Sequence, residues 1–227
     1  THYAGAQKYD EAYRVVDRLW LPLVQRFGQL ELANDLLTRD LTRLSSRMLP
    51  IAKLNLADLH AHAGDQAKAL RLLREVQPIQ QDNKQYKHLS RALVAEADIW
   101  QGNNKMSKAI QLTQDGLKVA KHIQDAEAQV ECHTRLANYH LNRQELRRAL
   151  DQLDSATQLI RAENLIELYP PVLQMQGLIY FVTKHLQNAM SSLNEAAELA
   201  NRYGNYHLFG SCLVLLGHVY LASGYMG

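Results

Sequence analysis

Apolar residues recur at helical spacing along most of the chain, with polar residues between them. From residue 10 to 27, the apolar side chains Val15, Val16, Leu19 and Trp20 follow this spacing, and Gly28 then ends the pattern. A shorter segment of the same kind covers residues 30–37. The sequence has no alternating polar and apolar run of useful length, so it predicts an all-α protein.

Small residues recur in the sequence at an interval of 40. The first series is Ala57, Ala97, Ala137, Gly177 and Gly217, and the second is Ala69, Ala109, Ala149 and Ala189. Because small side chains let two helices approach closely, a constant phase predicts stacked helix pairs. First helices are expected over residues 51–63, 91–102, 131–142, 171–183 and 208–223, and their partners are expected after Gly64, Asn104, Gln144 and Lys184.

The regular repeats are expected over residues 49–227, and residues 1–48 are expected to form irregular N-terminal helices. Ala12 lies further from Ala69 than one period, which indicates an insertion between them. Residues 6–12 resemble a turn that leads into a second helix whose first helix is missing. The last pair also stops before its second helix. These features predict a single helical repeat array over residues 1–227 that is a fragment of a larger protein.

The spacing within each repeat resembles the tetratricopeptide repeat (TPR). Bulky rings occupy its eleventh position, namely His60, Trp100, His140, Tyr180 and Tyr220. The resemblance implies a right-handed superhelical solenoid of antiparallel helix pairs, in a long variant with about 40 residues per repeat in place of about 34. The first quarter of the chain also resembles the repeat arrays of bacterial STAND-class signalling NTPases. That resemblance implies a sensor array attached to a nucleotide-switched module.

Composition and charge exclude several classes of function. The formal net charge is +2, from 25 basic and 23 acidic residues, so a field that would attract nucleic acid or a membrane surface is not expected. No apolar run approaches the roughly 20 residues of a membrane helix. Cys132 and Cys212 lie two periods apart and are expected to be free thiols. The sequence therefore predicts a cytoplasmic protein without nucleic-acid or membrane partners.

Catalytic and metal-binding motifs are missing from the sequence. It has no Gly-rich phosphate loop, no H-E-x-x-H and no C-x-x-C. His60 and His62 are two positions apart and point in different directions on a helix. Glu195 and Glu198 share a helix face, where exposure to solvent explains them better than catalysis. We therefore expect no enzyme activity, no cofactor and no metal.

The resemblance implies that a partner binds on the concave surface, which the first helices line in this family. The candidate residues are Asn55, Asp58, His62, Arg91, Asp98, Gln101, Glu131, Arg135, Asn138, Gln174, Phe181 and His218. Asn amides can clamp a peptide backbone, because they both donate and accept hydrogen bonds. With Met175 and Leu178, Phe181 forms either an apolar docking surface or part of the core, and both interpretations remain open.

The predicted function is a protein–protein interaction scaffold that binds a peptide or protein segment. The alternative is a regulatory array of a STAND-type NTPase that senses a ligand or partner. Self-association through the unfinished ends of the array is a further expectation.

Overall fold

The computed structural model describes residues 2–82 and 86–224 of the 227-residue chain. Within these ranges the chain forms helices and short turns, and no strand is assigned. The helices are α1 (His2–Phe27), α2 (Leu30–Thr38), α3 (Leu49–His62), α4 (Gln66–Asp82), α5 (Tyr86–Gly102), α6 (Met106–His122), α7 (Ala126–Asn142), α8 (Leu146–Ala162), α9 (Tyr169–Val182), α10 (Leu186–Arg202) and α11 (Tyr206–Ser223). Short 3₁₀ turns precede α3 and α9, at Leu41–Arg43 and Ile166–Leu168. The predicted all-α class is confirmed.

The helices form antiparallel pairs. We call the first helix of each pair an A helix (α1, α3, α5, α7 and α9) and the second a B helix (α2, α4, α6, α8 and α10). Helix α11 has the phase of an A helix and is named as one. The A helices α3, α7 and α9 pack closely on their B helices α4, α8 and α10. Pro50 lies in the first turn of α3, and the prolines at 170 and 171 lie in that of α9, where the missing N–H costs little.

Every turn that joins these helices from α3 onward, in the described residues, has one residue in the left-handed conformation. From an A to a B helix this residue is Gly64, Asn104, Gln144 or Lys184, and from a B to an A helix it is Gln124, Asn164 or Gly204. Any two of these positions are a multiple of 20 residues apart, which is half of the 40-residue period. The next amide N–H donates to the carbonyl five positions back, as from Asp65 to His60 (2.8 Å) and from Asn205 to Ala200 (2.8 Å). This is the Schellman arrangement, which caps a helix end. Each 40-residue period thus consists of two halves of equal length, and each half is one helix with its turn.

The chain divides into two compact units, residues 1–119 and 120–227. In the first unit, Tyr13 and Trp20 of α1 pack with Ala33 and Leu37 of α2 and with Leu56 of α3. A second cluster joins α3, α4 and α5 around Ala57, Leu73 and Ala92. In the second unit, Gly177 of α9 lies against Leu193 of α10.

The interpretation of residues 6–12 as a turn that leads into a second helix was wrong. Residues 6–12 form no turn, because they lie inside the continuous helix α1. This helix is an A helix that pairs with the short α2 and also contacts α3. Its buried face carries Tyr13 and Trp20, whereas Val15 and Leu19 are 58% and 50% exposed. Pro22 does not end the helix, which continues to Phe27.

Candidate partner-binding surface

The A helices of the first unit carry a connected set of polar side chains. Asn55 of α3 donates hydrogen bonds to Tyr13 Oη (3.2 Å) and to Asp17 Oδ1 (2.6 Å), both on α1. Asn55 is fully buried, and its Oδ1 has no hydrogen-bond partner in the described part of the chain. Burial raises the pKa of the Tyr13 hydroxyl. Asn55 was expected to face a partner on the surface; it instead joins α3 to α1.

An ion pair joins α3 to α5 on the same side of the unit. Arg91 Nη2 donates to Asp58 Oδ2, and the side chains are 37% and 16% exposed. Burial raises the pKa of the Asp58 carboxyl, and the Arg91 guanidinium opposes that shift. Removing the arginine would leave this largely buried carboxylate without its counter-charge, which is unfavourable. The pair links two A helices and also presents the outer edge of the guanidinium to solvent.

The remaining candidates of the first unit are His62 on α3, and Asp98 and Gln101 on α5. His62 is exposed, with Nδ1 2.8 Å from the Asp58 carbonyl oxygen one turn earlier. Asp98 and Gln101 are half-buried on α5, and the charge of Asp98 acts to raise the pKa of Asp58. We call Tyr13, Asp17, Asn55, Asp58, His62, Arg91, Asp98 and Gln101 the polar A-helix surface. Apart from His62, it carries three carboxylates and one guanidinium, so these charged groups are net negative.

Tyr13 and Asp17 were missed in the sequence analysis, because α1 was not interpreted as an A helix. The signal was present in the spacing. The sequence separations of Tyr13 and Asp17 from Asn55 are 42 and 38, on either side of one period. A search for polar residues one repeat upstream of Asn55 would have found both.

The candidates of the second unit are more dispersed. Glu131 and Arg135 form a partly exposed pair one turn apart, with 3.9 Å between Oε1 and Nη2. Asn138 is half-buried and His218 is exposed. Gln174 Nε2 donates to Ser211 Oγ (2.7 Å), which joins α9 to α11. Phe181 is partly buried against the cluster of Ala189 and Leu193, in line with the core interpretation of this residue.

Buried polar groups elsewhere in the second unit connect partner helices. His133 Nδ1 lies 2.8 Å from Gln152 Oε1, and burial lowers the pKa of this histidine. At the end of α7, His140 Nδ1 lies 2.7 Å from Glu145 Oε2, and this contact, together with Arg143 and Arg148, lowers the pKa of Glu145. These contacts join α7 to the start of α8 and to Gln152 further along it.

Other groups of chemical interest among the described residues lie outside the polar A-helix surface. They contain no group of three or more His, Cys, Asp or Glu side chains placed to hold a metal ion. Cys132 and Cys212 are free and buried, and burial raises the pKa of the Cys212 thiol to about 11. A groove of about 460 Å³ runs along α4, lined by Ala67, Leu70, Arg71, Arg74 and Glu75. The groove shares no residue with the polar A-helix surface.

Within the described ranges, one helix has the length and composition of a membrane span. Helix α11 is 18 residues long and apolar, and 17% of it is buried. The sequence analysis did not single it out, because glycine, serine and histidine interrupt its apolar residues. A first helix of this array is expected to be apolar on most sides, since neighbouring helices cover it, so the composition of α11 also fits its place in the repeat.

Comparison with known proteins supports the repeat fold. A STAND protein of Pyrococcus horikoshii with a tetratricopeptide repeat sensor matches 91% of this chain and 32% of its own, at 16% identity and a TM-score of 0.75. RapI in its apo form matches 98% of this chain and 70% of its own, at 13% identity and a TM-score of 0.67. PilF of Pseudomonas aeruginosa matches 93% of each chain, at 17% identity and a TM-score of 0.60.

These comparisons confirm the resemblance to the TPR fold and to the TPR part of a STAND protein. The chain spans about a third of the length of that STAND protein. Comparisons with protein-family models and with curated proteins gave no match. At these identities the likeness establishes the fold alone.

Proposed function

We propose that this TPR-type chain is a protein-interaction scaffold, and that the polar A-helix surface binds an extended segment of a partner protein. The observation that carries the proposal is the connected polar set across three helices, Asp17–Asn55 and Asp58–Arg91. Buried Asn55 and Tyr13 join the helices to one another. The members of the set that a partner can reach are partly exposed, namely Asp17, Asp58, Arg91, Asp98 and Gln101. On the same helices, His62 is exposed and Gln101 is half-buried.

The charge of this surface favours a basic partner segment. Asp17, Asp58 and Asp98 outnumber Arg91, and a largely buried carboxylate with a raised pKa is stabilised by added positive charge. A lysine or arginine of the partner would therefore interact more favourably with this surface than a carboxylate of the partner would. Because the attraction is electrostatic, we expect binding to weaken as salt rises.

Selection from a random peptide library displayed on phage, with the immobilised chain as bait, tests this proposal. We expect the selected peptides to be rich in Lys and Arg. Their affinity should fall about tenfold or more in Asp98→Asn, which corresponds to about 1.4 kcal/mol. Glu198→Gln is the matched control, since Glu198 is an exposed carboxylate of α10 that pairs with Arg202. No enrichment, or equal loss in both variants, would refute a specific basic-peptide surface.

A second candidate is a regulatory sensor array within a STAND-type signalling protein. The likeness to the repeat sensor of the Pyrococcus horikoshii protein over 91% of this chain favours it. The gene that encodes this chain provides the test. A phosphate-loop NTPase domain in the same open reading frame would support a sensor array, and an open reading frame without one would exclude it.

A further inference from the structure

The groove along α4 combines apolar and basic side chains on one face of the helix. Exposed Ala67 and half-buried Leu70 supply its apolar lining, and Arg71 and Arg74 are exposed beside them. Steps of three and four positions relate these residues, so they are neighbours on the helix surface. All the described residues that line the groove belong to α4, and its volume of about 460 Å³ is that of a ligand pocket.

The two arginines determine the charge of this groove. Glu75 follows Arg71 at the spacing of a helical ion pair, but its Oε2 instead lies 3.0 Å from Lys53 Nζ on α3. No described acidic side chain pairs with Arg71 or Arg74. Because Lys53 neutralises Glu75, the groove carries the two positive charges of its arginines, and their hydrogen-bond donors face solvent.

The other repeats show that packing does not require these arginines. The equivalent positions of the B helices α6, α8 and α10 hold residues that are not basic, namely Gln111, Asp151 and Ser191 for the first arginine and Gln114, Asp154 and Asn194 for the second. Ala69 of α4 and its equivalents in those helices are nevertheless all fully buried. The paired cations are therefore a property of α4 and not of the repeat.

We propose that the α4 groove binds an acidic segment of a partner protein, and that an apolar side chain of this segment lies against Leu70 and Ala67. Charge complementarity selects this occupant, because guanidinium groups one turn apart can bind carboxylates through paired hydrogen bonds. The polar A-helix surface shares no residue with the groove and has the opposite charge. The proposal therefore does not depend on the binding of a basic segment there.

Selection from a random peptide library displayed on phage tests the groove, with the wild-type chain and each variant as separate baits. The double variant Arg71→Gln, Arg74→Gln removes both cations. Ala67→Glu places a carboxylate in the groove, at an exposed position in the first turn of α4 where a negative charge is favourable. Both changes lie on exposed side chains, so the fold should persist, and circular dichroism checks this.

Each groove variant has a matched control on another B helix. Lys118→Gln combined with Arg202→Gln removes two exposed cations from α6 and α10. Ser107→Glu introduces a carboxylate one period after Ala67, at an exposed position in the first turn of α6. The controls therefore change the net charge of the chain by the same amounts and leave the groove intact.

We expect the wild-type chain to enrich peptides that contain several Asp or Glu residues and at least one large apolar residue. In fluorescence anisotropy at low salt, the affinity of these peptides should fall about tenfold or more in both groove variants and change little in the controls. Basic peptides selected by the polar A-helix surface should bind the groove variants as they bind the wild type, so a failure of either surface is identified separately.

Recovery of no acidic peptides would overturn the proposal, whatever the outcome for basic peptides. Acidic peptides that bind the groove variants as tightly as the wild type would also overturn it, since their contact would then lie elsewhere. Acidic peptides that need no apolar residue would indicate charge attraction alone and would exclude the groove as the binding site.

Discussion

Two glycines at equivalent positions of neighbouring repeats should respond in opposite ways to the same substitution. Gly177 and Gly217 both lie inside A helices, where replacing Gly by Ala stabilises the helix by about 1 kcal/mol. At Gly217 the added methyl group meets no described atom within 4 Å, so the gain should appear in full. Gly217→Ala should therefore stabilise the protein by about 1 kcal/mol.

At Gly177 the same methyl group has no room. Its Cβ would lie 2.6 Å from Leu193 Cγ and 2.8 Å from Leu193 Cδ2, and Leu193 is fully buried. Cγ is the branch point of the side chain, so the leucine must change rotamer or the two helices must separate. Overpacking of this kind costs about 1–3 kcal/mol. Set against the gain in helix propensity, Gly177→Ala should range from neutral to destabilising by about 2 kcal/mol.

Thermal and urea unfolding followed by circular dichroism measure both variants. The helix-propensity gain cancels between them, so the difference of about 1–3 kcal/mol isolates the steric cost. Each kcal/mol corresponds to about 2–4 °C in the unfolding midpoint for a chain of this size.

A double-mutant cycle with Leu193→Ala identifies the cause. Leu193→Ala should cost less in the Gly177→Ala background, because the shorter side chain makes room for the methyl group. Equal stability changes in Gly177→Ala and Gly217→Ala, or no coupling to Leu193, would refute the steric explanation.

Three further predictions concern a turn, the ion pair and a buried histidine. Lys184→Gly should stabilise the fold by about 0.5–1 kcal/mol, since lysine is strained at φ 63°; a lower urea midpoint would contradict this. Arg91→Ala should destabilise by about 1–3 kcal/mol and Asp58→Asn by less, because only the former leaves a carboxylate unpaired; equal urea midpoints would exclude this. The lowered pKa of His133 favours the neutral form in the fold, so stability should fall as the pH drops below about 6.5. In urea titrations at several pH values, His133→Gln should reduce the change of the unfolding midpoint with pH. A midpoint that changes with pH as much as in the wild type would argue against this role of His133.

The sequence was sufficient to predict the repeats, because their packing depends on small residues at fixed positions. The A and B helices from α3 to α11 occur where the phase of Ala57 and Ala69 placed them. The starts of α5 and α7 lie about one turn earlier than expected, at Tyr86 and Ala126. Their first turns carry few apolar residues, so hydrophobic spacing does not mark them.

The candidate surface was predicted less well, because its contacts depend on which helices become neighbours. Asn55 was identified by its phase, but its burial follows from Tyr13 and Asp17 on α1, a helix whose role the sequence analysis misjudged. The Asp58–Arg91 pair likewise joins two residues that are distant in sequence, both individually identified, whose contact requires the packing of α3 beside α5. Residue type and phase therefore find candidates, and only the fold tells a bonded side chain from an open one.

The left-handed turns have a consequence for how this array tolerates insertions and deletions. A residue gained or lost in one of the described turns from α3 onward would disturb the local hydrogen bonds of that turn, but it would leave the side-chain register within both helices unchanged. A residue gained inside a helix instead rotates every later side chain of that helix by about 100°. That rotation would turn a residue such as Ala149 or Gly177 away from its partner helix. The positions that tolerate an insertion or a deletion should therefore recur at every half of the 40-residue period, at the turns.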